Sequence, residues 1–148
     1  MNKPTAYLGI DPGITGAIAL IHDDGQIVED WPGDEVGAAD IVRAWSVTYK
    51  IRLAAIERVN AMPGQGVSST FKFGANFGAW KGILAALQIP FRTVRPQEWQ
   101  KGLVPKCEGK STSIAVARRL FPNMDLHRKA DHNRADALLI ADWARRQD

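Results

Sequence analysis

The chain has 148 residues, 45% of them apolar, with 19 Lys and Arg against 16 Asp and Glu for a formal charge of +3; this predicts one domain over 1–148 with its own buried core. No apolar run is long enough to span a bilayer and no basic-plus-apolar leader opens the chain, so a cytoplasmic protein without a membrane partner is expected. The single Cys107 and three scattered histidines exclude an internal disulfide and give no zinc spacing.

In chain order the patterning predicts three strands near 6–11, 16–22 and 26–31, then a helix over 35–49 and a fourth strand at 53–57. A long helix over 68–87, a fifth strand at 90–94 and helices near 96–102, 110–120 and 133–146 complete the chain. The opening strands are joined by connections too short for parallel crossovers, so they predict an antiparallel meander. Strands first and then alternation with helices argue an α/β fold, a sheet flanked by helices. No internal repeat or low-complexity segment interrupts it.

Acids stand at three distinctive places. Asp11 ends the apolar run Tyr7-Leu8-Gly9-Ile10 and is followed by Pro12-Gly13 and Gly16, a tight turn into the next strand. Glu57 ends Leu53-Ala54-Ala55-Ile56 and leads through Arg58-Val59-Asn60 into a loop of Pro63, Gly64 and Gly66. Asp136 lies in the first turns of the last helix, where Ala135, Leu138 and Leu139 keep helical spacing. His132, four residues earlier, would share its face. Asp131 is an N-cap position whose side chain can turn toward the same place, so either residue is admissible as a fourth ligand.

Each acid has an ordinary structural explanation, a turn cap for Asp11 and the helix dipole for Asp136. Carboxylates brought together repel unless a cation lies between them. Oxygen donors without a cysteine pair favour Mg²⁺ or Mn²⁺ over zinc. Two such ions about 4 Å apart can activate a water and steady the leaving oxygen of a phosphodiester. Asp11, Glu57 and Asp136 are therefore read as metal ligands.

These residues carry a resemblance. Leu8-Gly9-Ile10-Asp11-Pro12-Gly13, Ile56-Glu57-Arg58-Val59 and Arg134-Ala135-Asp136-Ala137-Leu138 occur in the order seen in RuvC-type Holliday junction resolvases, in the compact form found in bacteria and phages. Pro96-Gln97-Glu98-Trp99 and Leu120-Phe121-Pro122 are similar to that family's linking segments. The resemblance implies a ribonuclease H-like mixed five-stranded sheet, with its first three strands antiparallel. It implies a homodimer that nicks two opposed strands of a four-way DNA junction, leaving 5′ phosphate and 3′ hydroxyl ends. It also implies that Asp11, Glu57 and Asp136 are three of four catalytic acids. The family's remaining acid commonly lies three residues before the last Asp, a position held here by Asn133. Asp131 is placed ahead of His132 as its substitute, because a second negative charge suits Mg²⁺ better than an imidazole.

Charge is unevenly spread. Residues 1–50 hold three Lys or Arg against eight Asp or Glu, and residues 51–148 hold sixteen against eight. The later part is the expected DNA-facing part, and Arg92, Arg95, Lys101, Lys106, Lys110, Arg118 and Arg119 crowd one stretch of it. Any one of them can equally be a solvated surface charge. By the resemblance, Lys101 and Lys110 are the preferred phosphate contacts. In the long helix, Phe73, Phe77 and Trp80 keep an i, i+4, i+7 stripe whose default role is core packing. Phe71 lies off that stripe, and the resemblance makes it a candidate wedge at the junction centre, with Lys72 and Phe73 as adjoining DNA contacts.

Three other readings compete. Asp11-Pro12-Gly13-Ile14-Thr15-Gly16 is similar to the phosphate loop of actin-like and sugar-kinase proteins, but these need two lobes and this chain has the length of one, so no nucleotide cofactor is expected. A related nuclease acting on other branched DNA or on structured RNA keeps the fold and changes the substrate. A non-catalytic junction-binding protein would not need the set of acids.

Overall fold

The computed structural model describes residues 2–60, 63–103 and 110–148, without the side chains of residues 110 and 111. Strands β1 (Thr5–Asp11), β2 (Ala17–His22) and β3 (Gly25–Asp30) are followed by helix α1 (Glu35–Thr48), strand β4 (Lys50–Glu57), helix α2 (Val67–Ala86) and strand β5 (Phe91–Val94). Helices α3 (Pro96–Gln100), α4 (Lys110–Leu120) and α5 (His132–Arg146) complete the order. The sheet runs β3-β2-β1-β4-β5, with β1/β2 and β2/β3 antiparallel and β1/β4 and β4/β5 parallel. This is the mixed α/β sheet expected. Among the described residues, no helix is long and apolar enough to cross a membrane.

Several boundaries differ by one or two residues, α3 ending at Gln100 where the expected helix ran to 102, and two further differences stand out. β4 starts at Lys50, ahead of its apolar run, because the start of β1 supplies a ladder partner in the pair Thr5↔Lys50. Of the added residues Lys50, Ile51 and Arg52, only Ile51 is apolar, too little to signal a strand. A short 3-10 turn at Lys129–Asp131 precedes α5, where the expected helix began directly.

The sheet is covered on both faces. Ala6, Leu8, Ile10, Ala54 and Ile56 pack with Ala38 and Val42 of α1 and with Trp80 and Leu84 of α2. On the opposite face Ala17, Ala19 and Ala55 pack with Trp99 of α3, Val116 and Ala117 of α4, and Leu138 and Ala141 of α5. Alternation along each strand assigns Gly9 and Asp11 to this second face. Gly9 is required there. A Cβ on it would lie 2.1 Å from the Ala137 carbonyl oxygen and 2.2 Å from the Ala141 nitrogen, so the backbone of α5 rests directly on β1.

The β1/β4 register carries one irregularity. Ala6 pairs with Ile51 but Tyr7 pairs with Leu53, which leaves Arg52 as an extra residue in β4. Such a bulge reverses which face every later side chain occupies. Ile51 and Ala54 consequently share one core while Leu53 packs against the other. The alternation that follows, with Ala55 under α5, puts Glu57 on the α5 side.

Candidate active site

Three elements meet at one corner of the sheet. β1 and β4 are parallel neighbours, about 4.8 Å apart by strand geometry, and their registered pair Ile10↔Ile56 sets Asp11 and Glu57 side by side at the strand ends. Both acids are buried, at 9% and 8% exposure. Above them, α5 lies on Gly9 through Ala137 and Ala141. Asp136 precedes Ala137 in the first turns of α5, and its Oδ1 is withdrawn from solvent. Asp11 and Glu57 come from distant parts of the chain and stand side by side through β1/β4 pairing, and α5, which carries Asp136, packs on the same face of the sheet.

The turn after Asp11 is held firmly. The Gly16 amide donates to the Gly13 carbonyl at 3.0 Å, and a Cβ on Gly16 would stand 2.0 Å from the Asp11 carbonyl oxygen. The Gly13 amide donates to Oδ1 of Asn76, a buried polar residue of α2, at 2.8 Å. This bond fastens the turn to α2. Asn76 was detectable in the sequence only as a polar residue inside the apolar stretch of the long helix.

Glu57 has an unanticipated partner. The indole N–H of Trp99 donates to its Oε2 at 2.6 Å in a buried bond. Burial pushes the Glu57 carboxyl above its usual range, and the Trp99 hydrogen bond opposes that rise. An anion at this position therefore gains from a cation beside it. Among the described residues, no three His, Cys, Asp or Glu side chains are gathered into a metal cage.

Asp131, expected to turn toward these acids, is engaged by Arg128. Its carboxylate accepts the Arg128 amide at 2.9 Å and the Arg128 guanidinium at 2.7 and 3.0 Å, and the side-chain hydrogen bond from Arg128 holds its pKa below the usual range. Asp131 occupies the N-cap position of α5 without a side-chain cap bond. The charge that would favour it as a ligand is satisfied by an arginine three residues away. A second ion pair adjoins it, with Arg134 of α5 reaching Asp30 of β3 at 2.7 and 2.9 Å. His132 opens α5 one turn before Asp136 and on its face.

The aromatic stripe of α2 is only partly core. Trp80 is buried and Phe77 packs against the α1/α2 core, but Phe73 leaves the stripe and lies 4.0 Å from where a Cβ on Gly13 would be. Phe73 and Gln65 border two adjoining clefts. One, of about 630 Å³, is lined by Val59, Asn60 and Thr70, and the other, of about 370 Å³, by Gly13, Thr15 and Lys72. Phe71 is 76% exposed.

Two of the crowded basic residues have internal partners. Arg95 pairs with Glu98, and Arg118 donates twice to the Leu126 carbonyl. Lys101 is exposed just after α3. Lys106 and Cys107, and the side chain of Lys110, lie outside the described residues.

Known proteins resemble this chain in sequence or in fold. No family model matches the chain. Over 86 residues, 56% of this chain, it is 36% identical to the chloroplastic Holliday junction resolvase MOC1 of Chlamydomonas reinhardtii. The match spans about 10% of the length of that curated relative. The fold superposes on Thermus thermophilus RuvC in complex with a Holliday junction substrate with a TM-score of 0.62, at 18% identity, over 95% of this chain and 90% of that one. A second Thermus thermophilus RuvC structure gives 0.61 at 19% identity, over 93% of this chain and 90% of that one. The ribonuclease H-like architecture is therefore the fold of this chain.

Proposed function

We propose that this chain is a single-domain, divalent-metal-dependent endonuclease that resolves four-way DNA junctions by paired symmetric nicks. The observation that carries the reading is the side-by-side placement of buried Asp11 and Glu57 on the face of the sheet that α5 covers. The likeness to RuvC and to a junction resolvase supports the substrate.

Oxygen donors and a buried carboxylate disfavoured as an anion fit Mg²⁺ or Mn²⁺. Asp11, Glu57 and Asp136 would hold the ions, with His132 ahead of Asp131 for the fourth position. Two bound ions supply water activation and charge neutralisation at the scissile phosphate. The chain's own residues hold and orient. The Gly13–Asn76 bond fixes the turn beside Asp11, and packing of α5 on Gly9 sets the height of Asp136. Lys72 and Phe73 line the cleft beside the acids, where they can order the strand to be cut, and Lys101 adds a phosphate contact.

Two active sites on a two-fold axis suit a junction with two opposed strands. The outer face of α2 supports this pairing. Gly74, Gly78 and Gly82 leave it open, while Val67 is 88% exposed and Phe71 is 76% exposed. A second copy on this face would bring both Phe71 rings near the junction centre.

The test is incubation of wild type and Asp11→Asn with a labelled four-way junction and a matched duplex in Mg²⁺ or Mn²⁺. Paired nicks in the junction alone, lost in the variant while binding persists, are expected. Binding without cutting would point to a junction-binding protein, and preferred cutting of flaps, duplex or RNA would overturn the substrate.

A further inference from the structure

Resting on the nuclease reading above, we propose that Trp99 is the positioning residue for Glu57, its indole N–H fixing one carboxylate oxygen so that the other is aimed at the cation. An indole N–H donates and cannot accept, so the oxygen facing it is kept free of a proton. Oε2 is engaged at 2.6 Å in a bond closed to solvent, where hydrogen bonds are stronger than in water. The indole engages Oε2 and leaves Oε1 as the oxygen for the cation.

The mounting of Trp99 is rigid. Glu57 pairs with Val94 across β4 and β5, and the Arg58 amide donates to the Val94 carbonyl at 2.8 Å. α3 starts at Pro96, two residues beyond Val94, and Glu98 Oε1 accepts from the Arg95 amide at 3.3 Å and from its guanidinium at 3.1 Å. Trp99 is 1% exposed and its ring belongs to the core under α5. Strand pairing and core packing thus set the donor independently of any ion. A side chain serving only as core would need no N–H here, and Phe would serve.

Trp99→Phe keeps most of the ring and removes the donor. Mn²⁺ binding to the DNA-free protein, followed by electron paramagnetic resonance, is expected to weaken about 10- to 100-fold, as when an outer partner of a metal ligand is removed. Metal-free junction binding should stay within about twofold. Phe121→Leu, a change in the same core cluster, should lower the melting temperature and leave Mn²⁺ affinity unchanged. Wild type that binds Mn²⁺ no better than Trp99→Phe overturns the role of Trp99 and leaves the nuclease reading standing. Wild type that binds no Mn²⁺ overturns both.

A second measurement needs no change at Trp99. Of the five indole N–H resonances, the one displaced by Glu57→Gln should also move when Mg²⁺ is added to wild type. If that resonance holds still while Mg²⁺ binds, the proposal fails.

Discussion

Gly9→Ala tests the arrangement at its tightest point. The new Cβ would meet the Ala137 carbonyl oxygen at 2.1 Å, the Ala141 nitrogen at 2.2 Å and the Ala141 Cα at 2.8 Å, where ordinary contact begins at 3.4 Å. All three obstacles are helix backbone, so no rotamer change relieves them, and α5 must lift from β1 by roughly 1 Å. Overpacking of this kind costs typically about 1–3 kcal/mol, and a backbone obstacle argues for the upper end. The same movement lifts Asp136 from Asp11 and Glu57, and a misplacement of about 1 Å at a reacting centre can cost about 100-fold in rate. The assay is denaturant unfolding of the metal-free protein together with initial rates of junction cleavage at saturating DNA. Gly25→Ala is the neutral comparison, since a Cβ there meets nothing closer than 3.6 Å. A Gly9→Ala protein within about 0.5 kcal/mol of wild type, cutting at the wild-type rate, would refute the packing of α5 as the device that positions Asp136.

Further outcomes follow from individual side chains. Burial raises the Glu57 pKa, so its protonated form is the one the fold favours; that stabilisation is complete at low pH and is lost as pH rises through the folded pKa. Glu57→Gln should therefore melt higher than metal-free wild type at about pH 8, with the gap closing toward about pH 4, and a gap independent of pH would refute the assignment. Asp131 has the opposite sign. Its pKa is held below 3.8 by Arg128, so Asp131→Asn should be less stable at neutral pH, the difference fading as pH falls through the folded pKa. In a Mn²⁺ titration Asp131→Asn should bind close to wild type, and loss as severe as in Asp11→Asn would make Asp131 a ligand after all. Gly78→Leu puts a bulky side chain where nothing lies within 4 Å in the single chain. Sedimentation should report a folded monomer, and an unaltered dimer would move the interface off α2.

What the sequence determined by itself is the set of elements and the chemistry at their ends. Apolar runs of strand length punctuated by Gly and Pro marked β1 and β4, and an acid closing each run was visible without coordinates. Helical spacing around Leu138 and Leu139 did the same for Asp136. Short connections made the first three strands antiparallel. Tertiary structure decided what no local pattern encodes, namely which way those acids point and what touches them. Arg52 reads as an ordinary polar residue, yet as the extra residue in the β1/β4 register it sends Glu57 to the face that holds Asp11. Without it, strict alternation would aim Glu57 at α1 and α2. Asp131 was the better ligand on charge alone, and only the fold gave that charge to Arg128. Trp99 and Asn76 lie 42 residues from Glu57 and 63 from Gly13, so their bonds exist only once β5, α2 and the strand ends have packed together. Spacing along a chain limits what neighbouring residues do, whereas a contact across tens of residues is fixed by register and layer packing.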